Sequence, residues 1–165
     1  MNHTLNLLRT ITATALITVG VTAIAQTSPP PYGAPITLEQ AKKAMAAAEA
    51  EARKNNWQVV ITIVDSAGYT VMLQNLEAQH ASVDIATGKA RTAVHFRRAT
   101  KVMEDSLAAN GSALRLLALK DVTPLQGGLP IVVDGKIIGG IGVSGVTAPQ
   151  DELVAKAGLE TLTAK

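Results

Sequence analysis

Leu129-Pro130-Ile131-Val132-Val133-Asp134-Gly135-Lys136-Ile137-Ile138-Gly139-Gly140-Ile141-Gly142-Val143 is the stretch that decides the fold. Two β-branched runs meet at Asp134-Gly135, and Asp-Gly supplies the positive φ angles of a two-residue turn, so the spacing predicts a hairpin of Leu129–Val133 with Lys136–Val143. Working upstream, Val59–Val64 and Tyr69–Leu76 flank the turn sequence Asp65-Ser66-Ala67-Gly68 and predict a first hairpin. Ahead of it, Thr37 and Gln40 fit a capping box. Ala41, Ala44, Met45, Ala48 and Ala52 then recur at helical spacing, predicting a helix over 38–54 with a face small enough to lie close to a sheet. Between the hairpins, Ser82 opens a helix reaching about Phe96, and Thr100 is expected to cap another over 101–109. Asn110-Gly111 breaks that helix, and Ala113–Leu119 suits a further short helical turn. Pro149–Thr163, with Asp151 and Glu152 in its first turn, closes the chain as a helix. Two hairpins separated and flanked by helices predict an α+β fold, an antiparallel sheet covered by helices on its faces.

The 165 residues divide into three parts. Arg9, the apolar run Ile11–Ala25 and its Ala23-Ile24-Ala25 finish predict a secretory signal peptide over 1–25, cleaved after Ala25. The run is shorter than the roughly 20 residues of a membrane span and is threaded with threonine, so no membrane association is expected after cleavage. A proline-rich linker over 26–35 leads to one domain at 36–165, and the expected location is periplasmic or secreted. Losing Arg9 leaves 14 basic residues against 13 acidic ones, about +1, too even a balance for a nucleic-acid partner. Cysteine is absent, which excludes disulfides, thiolate catalysis, Cys-ligated zinc and iron–sulfur clusters. One tryptophan and one phenylalanine leave an aliphatic core.

Around the helix from Ser82, steps of 100° set Asp84, Gly88, Arg91, His95 and Arg98 along a polar stripe, with Ile85, Ala86, Ala93 and Phe96 roughly opposite. Lys89 falls within the apolar stripe, beside Thr92, so its ammonium either snorkels outward or meets an anion in a pocket. Gly127-Gly128 permits close backbone approach or unusual dihedrals, and Gly139–Gly145 either seats a helix or clears space for a flat ligand. Either His80 or His95 is a candidate axial ligand to a single iron; isolated imidazoles more often only cap or face solvent. No H-E-x-x-H, G-x-S-x-G or Walker A sequence occurs, which removes support for zinc hydrolysis or a serine hydrolase, and the G-x-G-x-x-G spacing at Gly140–Gly145 stands without the regular βαβ alternation of a nucleotide fold.

KARTAVHFRRAT at 89–100, PLQGGLPIVVDGKIIGGIGVSG at 124–145 and QDELVAKAGL at 150–159, in that order behind ITLEQAKKAMAAAEAEA and VDSAG, resemble the GlcG/HbpS haem-binding family. That family in turn is similar to the C-terminal domain of PduO-type proteins. The resemblance, covering Ile36 to about Leu162, implies a profilin-like three-layer α/β/α fold with a five-stranded antiparallel sheet, homo-oligomers, and a haem or related tetrapyrrole cofactor. It implies binding more strongly than turnover. Lys89, Arg97 and Arg98 then become candidate propionate partners, Phe96 and the Gly127-Gly128 loop candidate walls beside Thr92, and His80 or His95 candidate iron ligands. The chain departs from the family where many members have an R-M-D-G-A-like stretch: Gln74-Asn75-Leu76-Glu77-Ala78 stands there. Two other functions fit the residues: an enzyme or accessory subunit acting on a small carboxylate through Lys89, and a structural or signalling partner of another exported protein. Alanines on several sides of the first helix offer a second close-packing surface for a homo-oligomer.

Overall fold

A computed structural model describes residues 28–163, and the signal peptide expected at 1–25 lies outside them. In chain order come α1 (Leu38–Lys54), β1 (Val60–Asp65), β2 (Thr70–Asn75), α2 (Ser82–His95) and α3 (Thr100–Ala108). A 3-10 helix (Gly111–Ala118), β3 (Gly128–Val133), β4 (Lys136–Ser144) and α4 (Ala148–Thr163) follow. Both hairpins form. Their turns have the chemistry expected of them: Asp134 and Gly135 take φ of 49° and 73°, and Asp65 Oδ1 accepts from the Ala67 and Tyr69 amides at 2.9 Å each. The capping box at Thr37 and Gln40 is present in both directions.

The hairpins join through β1 and β4 into a sheet of order β2-β1-β4-β3, antiparallel throughout. Among the described residues this corrects the expected five strands to four. A remnant of a fifth partner exists where β1 runs out beyond Asp65: Tyr32 makes one parallel bridge with Ile137, with Ile137 N donating to Pro31 O and Gly33 N to Ile137 O. Ile36 N donates to Ile138 O at 2.7 Å beyond it, but no continuous ladder forms, because Pro29, Pro30, Pro31 and Pro35 have no N–H to donate.

Helices cover both faces. Val59, Ile61 and Ile63 pack with Ile141 and Val143 against the alanine face of α1 and against Val154 and Ala155 of α4. On the other face Val64 and Ile137 meet Ala90 and Val94 of α2, and Thr62 Oγ1 bonds Thr87 Oγ1 at 3.2 Å. A bulge carries Ile137 to the α2 side and Ile138 to the α1 side, because the β3 register skips from Ile131↔Gly139 to Val132↔Ile137. The glycines of β4 resolve the choice left by the sequence. A Cβ at Gly142 would lie 2.1 Å from the Ala86 carbonyl oxygen, and one at Gly140 2.6 Å from Val94 Cγ2, so both seat α2 directly on the sheet and leave no slot for a flat ligand. No helix among the described residues is long and apolar enough to cross a membrane.

Candidate functional site

Lys89 sits on the sheet-facing side of α2, where Ile85 and Ala93 place it by periodicity, and only 2% of it is exposed. Its Nζ donates to Asp151 Oδ2 and to the Val143 carbonyl, both at 2.8 Å. Of the two alternatives for this lysine, the paired pocket is the one that forms. Asp151 is as deeply buried, near the start of α4, and its second oxygen accepts from Val146 N at 3.2 Å. Burial pushes the Asp151 carboxyl above its ordinary value, and the hydrogen bond and charge of Lys89 pull it part of the way back. The pair therefore ties α2 to α4 through the end of β4.

Gly127 and Gly128 close over this pair. Gly127 has φ +116°, and a Cβ there would lie 3.0 Å from Lys89 Nζ and 2.9 Å from Asp151 Cβ; at Gly128 it would lie 2.4 Å from the Lys89 carbonyl. Gly128 N donates to Thr100 Oγ1 at 2.9 Å, so Thr100 is the first residue of α3 and a bridge to β3, and not the cap expected of it. Thr92, also buried, accepts from Thr123 N at 2.8 Å and pins the incoming loop. Lys89, Thr92, Gly127 and Gly128 thus come together, with Asp151 as the member that sequence reasoning left out. They form a packed polar node with no room for a macrocycle.

The remaining candidates lie elsewhere. His80 is exposed ahead of α2 and His95 ends it; at about 1.5 Å per residue they stand roughly 20 Å apart, too far to bind one iron within one chain. His95 Nε2 contacts the Ala67 carbonyl at 3.2 Å, and Arg91 Nε donates to Gly68 O at 3.0 Å, so the polar stripe of α2 holds the β1–β2 turn. Arg97, at φ +53°, places its guanidinium 5.8 Å from the centre of the Tyr32 ring, while the Tyr32 hydroxyl donates to Val94 O at 2.9 Å. Phe96 is half-buried, and exposed Arg98 donates to its carbonyl at 3.0 Å. His95, Phe96, Arg97 and Arg98 therefore share the C-terminal end of α2. No group of three or more potential His, Asp or Glu metal ligands occurs among the described residues.

A cleft of about 440 Å³ opens at another place, between the end of α1 and the end of β2. Arg53 and the connection Asn56-Trp57-Gln58 form one side, and Asn75, Leu76 and Glu77 the other. Glu77 takes φ +60°, a strained conformation for a side chain of its kind. This is the segment that departs from the R-M-D-G-A-like pattern, which was the sole signal in the sequence pointing here.

A family model described as haem-degrading protein HbpS-like matches residues 36–160. Protein GlcG of Escherichia coli strain K12 is 39% identical over 110 residues, covering 66% of this chain and 81% of GlcG. Among solved structures, a double mutant of Streptomyces reticuli HbpS superposes with a TM-score of 0.73 at 32% identity, covering 90% of this chain and 98% of that one. The PduOC:heme complex superposes with a TM-score of 0.71 at 27% identity, covering 77% and 94%. With the three sequence blocks, the two-hairpin sheet and the helix seated on its glycines all within the matched span, the chain belongs to the HbpS-like family.

Proposed function

We propose that this chain is an exported protein that binds haem or a related tetrapyrrole, and the observation that carries the proposal is the family match over 36–160 together with a haem complex among its structural relatives. The residues present fit the cofactor in part. The Lys89–Asp151 node does not admit it, because Gly127 and Gly128 already fill the space above the ammonium. The C-terminal end of α2 supplies what the periphery of a haem needs: Arg97 and Arg98 as cations for carboxylates, Phe96 as an apolar edge and His95 as an imidazole. His80 is the alternative ligand, exposed at the other end of the helix. Bound haem would supply an iron centre for sensing or redox chemistry. The chain's own part is to hold its carboxylates and offer the imidazole, and a second subunit of a homo-oligomer is the natural cover for so open a surface.

Haemin titrated into the purified chain is expected to give a saturable Soret shift that weakens in His95→Ala and persists in His80→Ala. The reverse pattern moves the ligand to His80, and no shift at micromolar haemin rejects the function. A Soret band that forms and then decays would place degradation beside binding. Export is checked separately: the periplasmic fraction should contain a chain whose N-terminus is Gln26. The carboxylate-enzyme alternative relied on a reactive Lys89, and that ammonium is enclosed and ion-paired. A signalling role with an exported protein partner remains compatible with haem binding, and pull-down with and without haemin tests it.

A further inference from the structure

We infer that the cleft between α1 and β2 is a binding site for a small primary ammonium compound. The lining carries one cation, Arg53, and one anion, Glu77, and they differ in pairing. Arg53 is matched within the protein, its Nε lying 2.6 Å from Glu49 Oε1, and that contact with the guanidinium is the main cause holding the Glu49 carboxyl below its usual range. Glu77, exposed on the opposite wall, has no hydrogen-bond or ion-pair partner among the described residues, so of the two charges in the lining its carboxylate is the one left unpaired.

The other lining groups suit the same ligand. Trp57 offers an indole face, which attracts a cation through its quadrupole. Asn56 and Gln58 contribute amide oxygens with no partner among the described residues, and these accept from an N–H donor. Asn75 Oδ1 is taken by the Ala78 amide at 2.9 Å, which leaves its NH₂ to donate to a hydroxyl on the ligand. An anion would meet Glu77 with like charge, and a neutral polyol would gain nothing from that carboxylate or from the indole. Glu77 keeps its positive φ at the cleft wall, a conformation that clusters at ligand sites. This site is separate from the C-terminal end of α2 and does not depend on haem.

Trp57 is the sole tryptophan of the chain, so its fluorescence reports on this cleft alone. Titration of the haem-free full domain with ethanolamine at constant ionic strength is expected to shift Trp57 emission saturably, with half-saturation at about 1 mM or below. Ethylene glycol, the neutral analogue, and acetate should give no saturable change. Glu77→Gln, a change at an exposed side chain, should raise half-saturation about tenfold with an unaltered circular dichroism spectrum. Gln58→Glu, adding a second carboxylate, should lower it. No saturable response to ethanolamine, an equal response to ethylene glycol, or indifference to both substitutions would overturn the inference.

Discussion

At the scale of single residues, the Lys89–Asp151 pair shows how burial and charge share the control of one site. Removing either partner strands the other in a dry core, at a cost of about 3–5 kcal/mol. The pH dependence gives the direction. In Lys89→Met the hydrogen bond and charge that lower the Asp151 carboxyl are lost, so its folded pKa rises further above the ordinary 3.8. A group whose folded pKa is raised contributes stability below its unfolded value and loses it as pH climbs through the folded one. Urea unfolding should therefore find Lys89→Met closer to the parent near pH 4 than at pH 7. The double variant Lys89→Met/Asp151→Leu should recover much of the loss, because no charge is left buried. An equal penalty at both pH values would show that Asp151 is not the group responsible. The sequence marked Lys89 as anomalous within an apolar stripe, but its partner is 62 residues away and was visible only as an acid suited to a helix start.

Among the elements, α2 and β4 meet where glycine removes the side-chain layer. Gly142→Ala puts a methyl group 2.1 Å from the Ala86 carbonyl, a clash with helix backbone that no rotamer relieves. The expected loss is about 3 kcal/mol, read as a lower urea midpoint at unchanged slope. Gly135→Ala, whose Cβ meets nothing within 4 Å, should suffer only from its φ of +73° and lose about 1 kcal/mol. The four strands and four α-helices of the described residues were legible because local chemistry marks them: Asp134-Gly135 for the turn, Thr37 with Gln40 for a cap, β-branched runs for the strands. What local pattern does not carry is registry between elements. The bulge at Ile138 follows from β3 pairing, the bond from Thr100 to Gly128 from α3 crossing β3, and the cleft from two ends that approach only in the folded chain. The absence of a full fifth strand was the exception, since the prolines of 29–35 already forbid a donor ladder.

For the whole molecule, assembly is the open dimension. Ala46 and Ala50 of α1 face solvent, while Leu114, Leu117 and Leu119 on and after the 3-10 helix are 46–67% exposed. Light scattering at micromolar concentration is expected to give a mass of at least twice the roughly 14–15 kDa of a chain beginning at Gln26, and a monomer would reject the shared haem surface. The direct seating of α2 on Gly140 and Gly142 has a consequence for motion. A helix in backbone contact with a sheet cannot slide or roll without breaking that contact, so the α2 amides should exchange with deuterium only when the whole domain opens. The 3-10 helix, with no buried residue, should exchange by local opening orders of magnitude sooner. Local opening is thereby expected first at residues 111–118, while α2 stays fixed on the sheet.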